Sequence, residues 1–235
     1  ALSLLGIYKK AAKKIPVVTD NFLAIDQRSY EQSTSQKVAQ FKAKFIRGKH
    51  LLDLTAGIGI DSIYLSQNFE QIEAVEINKT LHLLASFNLK KLGITNVKRI
   101  HGDSFELLSG KLYDWIYIDP DRRINGKRAV DLNYLEPDVL GNLALIKKSA
   151  SKVYIKLSPL FDLSEIARCF KQLNAIYLIA EKNELKEVGV FIDYSIQSEV
   201  NNVTINLMDV STNFSVAFSF DEYLTRKKHI YKTGY

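Results

Sequence analysis

The chain has 235 residues, 46% hydrophobic and 25% charged, which suits a globular domain with a real core plus an appendage and excludes a disordered or fibrous chain. No apolar run approaches the roughly 18 residues of a membrane span, and "ALSLLGI" is too short and too soon followed by lysines for a signal peptide, so no membrane partner and a cytoplasmic location are expected. Cys169 is the only cysteine and the four histidines show no CxxC, HxE or HExxH spacing, so neither a disulfide nor a metal site is expected; the formal charge of +6 suits an acidic partner such as nucleic acid without requiring one.

The N-terminal segment, 1–48, reads as helical. Leu4, Tyr8, Ala11 and Ile15 recur at helical spacing, with Lys9, Lys10, Lys13 and Lys14 on the other side and Pro16 ending the pattern. "DQRSYEQ" reads as a loop. Ser33 then stands in capping-box register with Gln36, opening a helix with Val38, Phe41 and Phe45 inward and Lys37, Lys42, Lys44 and Arg47 outward. Solvation is the plain reading of such lysine faces, and phosphate contact the sharper one.

From His50 short apolar runs alternate with amphipathic helices. "HLLDL", "IEAVEI", "VKRI", "DWIYID" and "KVYIKLS" read as strands. Helices are marked by Ile60, Ile63 and Tyr64; by Leu81, Leu84, Ala85, Leu89 and Leu92 with Gly93 as cap; by Val139, Leu140, Leu143 and Ile146; and by Leu163, Ile166, Phe170 and Leu173. This rhythm implies right-handed crossovers and a Rossmann-like, doubly wound, mainly parallel α/β sheet over 49–182. Beyond Asn174 the rhythm changes, and 183–235 reads as a β-rich C-terminal region. "NAIYLIAEK", "VGVFIDYSI", "NVTINLMDV" and "FSVAFSF" read as antiparallel strands, the first two a terminal hairpin and the last two part of a small extra sheet; the tail "DEYLTRKKHIYKTGY" shows no pattern.

The turn "LLDLTAGIGIDS" follows the first strand of this sheet, where open α/β folds bind ligands. Gly57 and Gly59 permit positive φ and close backbone approach. A structural turn or a dinucleotide fingerprint is the simplest reading of GxG alone. Asp53 and Asp61, however, oppose a pyrophosphate, which wants bare amides, and suit a ligand with a positive end. S-adenosylmethionine is such a ligand. Asp53 would face its ammonium, with Thr55, Ala56, Gly57 and Gly59 forming the turn around it. Glu76 would take the ribose hydroxyls, Asp103 the adenine amine, the Ser104 amide the ring, and Ile77 and Phe105 would sandwich it.

With "AVEINK", "HGDSF" and "DWIYIDPDRR" following in order, residues 31–183 resemble the class I S-adenosylmethionine-dependent methyltransferases. That resemblance implies a seven-stranded sheet. "SYEQSTSQKVAQFKAKF", "IDPDRRINGKRAVDLNYLEPDVL", "IKLSPL" and "EKNEL" are similar to a bacterial methyltransferase group with a helical N-terminal segment and a THUMP-like or ferredoxin-like C-terminal region, which implies an RNA substrate. The lead-in and first motif also resemble the trimethylguanosine synthases, which methylate a guanine amino group.

Methyltransferases acting on exocyclic amines place an Asp or Asn before Pro where this chain has Asp119 and Pro120, so that the side-chain oxygen and the proline carbonyl accept from the amine and aim its lone pair. The family pattern continues with a second proline and an aromatic; here Asp121 and Arg122 follow. Cys169 lies in the helix "IARCF", which argues against carbon methylation of a pyrimidine by a cysteine nucleophile. Arg122, Arg123, Lys127 and Arg128 are expected in an overhanging loop that holds substrate phosphate, and Lys156 meets either substrate or a partner carboxylate. The alternatives are a small-molecule or protein methyltransferase on the same fold, a non-catalytic RNA-binding or assembly factor and, more distantly, an NAD-dependent dehydrogenase.

Overall fold

The structure, a computed structural model, describes residues 2–108, 110–124, 127–128, 131–196 and 203–233, with the side chains of 2–4, 122–124, 127–128 and 228–233 outside the description. By internal contacts the chain divides into two units, Ala1–Ile118 and Asp119–Tyr235.

The first unit opens with four helices, α1 (Leu2–Lys14), α2 (Pro16–Asp20), α3 (Gln27–Gln32) and α4 (Gln36–Ala43). Pro16 ends α1 and also starts α2, because a proline at the first helical position has no amide to leave unpaired. The expected loop "DQRSYEQ" is α3: Asp26 caps it, accepting from the Ser29 amide at 2.8 Å. The cap of α4 is Ser35, not Ser33, and Gln36 turns away to accept from the Val17 amide at 2.9 Å, so the capping box does not form. Lys37, Lys44 and Arg47 are exposed or half-exposed as expected, but Lys42 is fully buried.

Strands β1 (Gly48–Asp53), β2 (Phe69–Glu76), β3 (Val97–His101) and β4 (Tyr113–Ile118) follow, with α5 (Ile60–Leu65) and α6 (Lys79–Lys91) as crossovers. Their order is β4-β1-β2-β3, all pairs parallel. Leu51, Leu52, Ile72, Ala74, Val75, Ile116 and Ile118 are buried along these strands, the continuous apolar runs that a two-sided parallel sheet needs. Asn78 caps α6 by accepting from the Thr80 and Leu81 amides, and Gly93 lies just past its end with φ +68°.

In the second unit the expected basic loop is a small sheet, β5 (Asp121–Ile124), β6 (Lys127–Arg128) and β7 (Leu135–Glu136), in the order β6-β5-β7. Then come α7 (Leu143–Ser149), β8 (Ala150–Leu157), α8 (Leu163–Cys169), β9 (Ala175–Glu181), β10 (Glu184–Asp193), β11 (Thr204–Asp209), β12 (Phe214–Ser219) and α9 (Phe220–Thr233). The order is β8-β10-β9-β11-β12. β10 is antiparallel to β8 and β9, and its two-residue turn from β9 holds Lys182 and Asn183 at positive φ, the primed geometry that suits strand twist.

Two expectations fail here. β11 lies parallel, not antiparallel, to β9, and β11 with β12 extends the main sheet instead of forming a separate one. With four parallel strands in the first unit and a mixed five in the second, these strands number nine, not the seven implied by the resemblance. The physical reason is that β9 has a free edge beyond the hairpin, and Ile205, fully buried opposite Ile176, gains a core by joining it. The patternless tail contains α9, whose helical spacing is masked by its many charges.

Candidate active site

The glycine turn is built at the carboxyl end of β1. Gly57 (φ +52°) and Gly59 (φ +87°) occupy left-handed backbone that side chains disfavour, and Gly59 opens α5 without a side-chain cap. The Ala56 amide donates to Val75 O at 2.9 Å, stitching the turn to β2.

Asp53 is buried beneath the turn, its Oδ1 accepting from the Thr55 amide at 3.1 Å and its Oδ2 from the Ser62 hydroxyl at 2.6 Å. Burial pushes its pKa up to about 6, against the pull of those hydrogen bonds and of Arg99. Glu76 ends β2 and spans turn and helix: Oε2 accepts from the Gly57 amide at 2.9 Å, Oε1 from the Asn78 amide at 2.7 Å. Two acids at successive strand ends therefore hold the turn, Asp53 at the Thr55 amide and Glu76 at the Gly57 amide. Ile77, next in the chain, is 73% exposed, an open apolar surface among the described residues. Asp103 is exposed and accepts from the Phe105 amide at 2.9 Å, while Ser104 is buried and Phe105 half-buried at the start of a 3-10 turn. Gly102 N donates to Glu76 O at 3.2 Å, joining this loop to the second strand.

The sequence reading left out one residue here and misplaced another. Arg99, on β3, donates from Nη2 to Gly57 O at 2.9 Å, and its buried Nε and Nη1 find no hydrogen-bond partner among the described residues. Burial lowers its pKa, while Asp53 and Glu76 oppose the shift. The available signal was strand alternation: Arg99 shares a face with the buried Val97, whereas Lys98 points out.

The second is Lys42. Its ammonium lies 2.9 Å from Asp61 Oδ1, donates to the Tyr117 hydroxyl at 2.7 Å and stands 5.2 Å from the centre of that ring. Thr34 donates to Asp61 Oδ2 at 2.6 Å. The charge of Asp61, read from sequence as part of a ligand's anionic surroundings, is met instead by Lys42. Helix α4 is thereby pinned to the first turn of α5 and to β4.

In the second unit, Asp119 is the first residue after β4 and two past Tyr117, the register partner of Asp53. Its Oδ2 accepts from Lys156 Nζ at 2.6 Å; Asp119 keeps 35% side-chain exposure and Lys156 14%. The partner carboxylate anticipated for Lys156 is therefore Asp119. Pro120 is buried. On the same face of β8, Tyr154 donates to the buried Glu187 at 3.0 Å, passing so close to Gly189 that a Cβ there would lie 1.9 Å from the hydroxyl. Arg122, Arg123, Lys127 and Arg128 lie on β5 and β6, and their side chains are outside the described residues.

Cys169 is the last residue of α8, where burial raises its pKa. It borders a cavity of about 240 Å³ with Leu143, Lys147, Phe170 and Tyr194 that contains none of the anticipated site residues. Among the described residues no cluster of three or more His, Cys, Asp or Glu is placed to hold a metal, and no helix is long and apolar enough to cross a membrane.

The chain superimposes on a Porphyromonas gingivalis W83 protein provisionally described as a methyltransferase, with a TM-score of 0.84 and 26% identity over 94% of this chain. The fold is that of the class I methyltransferases. The chain spans 57% of that protein's length. More distant likenesses, in fold alone, are TrmK of M. capricolum, solved with S-adenosyl-homocysteine (TM-score 0.53, 18% identity, 69% of this chain and 70% of that one), and NSun6 of Pyrococcus horikoshii, solved with SFG (0.51, 16%, 68% and 51%). No protein-family model and no curated protein matches the sequence.

Proposed function

We propose that the chain is an S-adenosylmethionine-dependent methyltransferase that modifies RNA at an exocyclic amine of a base. The observation that carries the cofactor half is the pair of carboxylates, Asp53 and Glu76, locked at successive strand ends around a turn with two left-handed glycines. Each Glu76 oxygen accepts one amide and has a second lone pair for a ribose hydroxyl. Asp53 offers negative charge to an ammonium, the Thr55 to Gly59 backbone allows close approach, and Ile77 and Phe105 supply apolar surface for adenine beside Asp103 and the Ser104 amide. The ligands in the M. capricolum and P. horikoshii structures support the same choice. The cofactor, when bound, supplies an electrophilic methyl group.

Asp119 and Pro120 are the residues we assign to the acceptor. Asp119 follows directly on β4 and carries a partly exposed carboxylate steadied through one oxygen by Lys156. Hydrogen bonds from an amine to Asp119 and to the Pro120 carbonyl would orient its lone pair, which for a neutral amine suffices without prior deprotonation. RNA is proposed on charge: the chain is formally +6, and Arg122, Arg123, Lys127 and Arg128 follow the Asp-Pro pair within eight residues of Pro120.

The deciding experiment supplies labelled S-adenosylmethionine with separate RNA, DNA, protein and metabolite fractions. Label in RNA is the expected result, abolished in Asp119→Ala, which should bind S-adenosylhomocysteine as the parent protein does. Label only in protein or metabolites would replace RNA as the substrate.

A further inference from the structure

Resting on the cofactor reading above, we infer that Arg99 is a positioning residue of that site: it fixes Gly57 against Glu76, and it is the cation that keeps Asp53 ionised to meet an ammonium. The residue comes from β3, outside every motif that marks the site in sequence. Its Nη2 donates to Gly57 O at 2.9 Å while the Gly57 amide donates to Glu76 Oε2, also at 2.9 Å, so this left-handed glycine is held at both of its backbone polar groups. Gly59 turns its bare Cα toward the same guanidinium: a Cβ there would lie 3.7 Å from Arg99 Nη1 and 4.0 Å from the Cβ of Ala85 on α6.

Arg99 is not bound as a bracing arginine is. A buried guanidinium commonly meets a carboxylate through two parallel hydrogen bonds. Arg99 meets a backbone carbonyl through one, and its buried Nε and Nη1 find no hydrogen-bond partner among the described residues. Burial lowers its pKa, and the charges of Asp53 and Glu76 oppose that shift. The attraction is mutual, so a cation retained by these carboxylates also favours their ionised forms.

Asp53 needs that attraction. Burial pushes its pKa up to about 6 and the charge of Asp61 on α5 adds to the push, whereas the Ser62 hydroxyl, the Thr55 amide and Arg99 pull it down. Of these three, Arg99 alone is a cation. Asp61 is itself met by Lys42 of α4 at 2.9 Å. His82, which acts on Arg99 from α6, is uncharged at neutral pH, because burial, Arg99 and His101 lower its pKa against the pull of Glu76. Without Arg99 the Asp53 carboxyl would stay protonated to a higher pH, and a neutral acid has no charge to offer an ammonium.

The test is the pH profile of S-adenosylhomocysteine binding to the full chain, measured by calorimetry from about pH 5 to about pH 8 for the parent protein, Arg99→Lys and Arg99→Met. In the parent, affinity should fall with a midpoint near the Asp53 value of about 6. Arg99→Met should move that midpoint up by about one pH unit, the effect of losing a single nearby charge, so that near pH 6 it retains about a tenth of its high-pH affinity where the parent retains about half. Arg99→Lys keeps the charge and loses the planar fork; it should lower affinity at every pH and leave the midpoint where the parent has it. An arginine that merely braces the turn would lower affinity by one factor at all pH values in both variants, so an unmoved midpoint in Arg99→Met overturns the inference and leaves the Asp53 assignment standing. A parent profile that is flat over this range would defeat the Asp53 assignment and the inference with it. Should Arg99→Met fail to fold, the unaltered protein still decides: in nitrogen-15-labelled protein the Arg99 Nε resonance should move with a midpoint near the Asp53 value, and the movement should vanish in Asp53→Asn. No movement, or a movement that survives Asp53→Asn, overturns the inference.

Discussion

Replacing Lys42 with methionine tests how α4 is fastened to the cofactor turn. Lys42 is 0% exposed, so water cannot replace what it loses: an ion pair at 2.9 Å with Asp61, itself only 12% exposed, and a hydrogen bond at 2.7 Å with the Tyr117 hydroxyl. Methionine fills a similar volume, which keeps a cavity from contributing. The dominant cost is the loss of the lysine charge beside a mostly buried carboxylate that keeps its Thr34 hydrogen bond, about 3 kcal/mol, the low end for removing one partner of a buried pair. Lys44→Met, on the exposed side of the same helix end, should change stability by no more than about 0.5 kcal/mol. Urea unfolding can be followed by the fluorescence of Trp115, the single tryptophan, buried on β4 within the first unit. The cost of Lys42→Met combined with Asp61→Asn should fall short of the sum of the two single costs by about 1 to 3 kcal/mol. Equal unfolding midpoints for Lys42→Met and Lys44→Met, or strict additivity in the double variant, would refute the argument.

Asp53 makes a pH-dependent contribution. Its folded pKa, about 6, lies above the ordinary 3.8, so the neutral acid favours the fold; that contribution is complete below about 3.8 and is lost as pH rises through about 6. Binding of an ammonium needs the ionised form, so S-adenosylhomocysteine affinity measured by calorimetry should fall as pH drops through about 6, and Asp53→Asn should bind weakly with a flatter profile. Glu76→Ala removes the proposed ribose acceptor and frees the Gly57 and Asn78 amides, and should weaken S-adenosylhomocysteine by on the order of 1.5 to 3 kcal/mol. Undiminished affinity in a folded Glu76→Ala protein would remove the ribose assignment. Arg122→Ala with Arg123→Ala should lower RNA affinity and reduce its salt slope by roughly one unit for each phosphate no longer neutralised. An unchanged slope with failed turnover would make these residues structural or catalytic instead.

What the sequence determined by itself was local. Helix and strand periods, the positive-φ demand at Gly57 and Gly59 and the acids at strand ends are properties of short windows, and the parallel core from His50 to Ile118 follows from them. A window cannot show which distant partner a side chain meets. Lys42 looks like any lysine on a helix until Asp61 and Tyr117, 19 and 75 residues away, close around it. Lys156 becomes half of a pair only because β8 brings it to Asp119, 37 residues earlier in the chain. Strands β11 and β12 carry the alternation of a separate small sheet, but alternation specifies a buried face and not the neighbour that buries it; the free edge of β9 decided that. Burial of a charge and choice of a strand's neighbour both depend on what desolvates them, and desolvation is a property of the assembled fold.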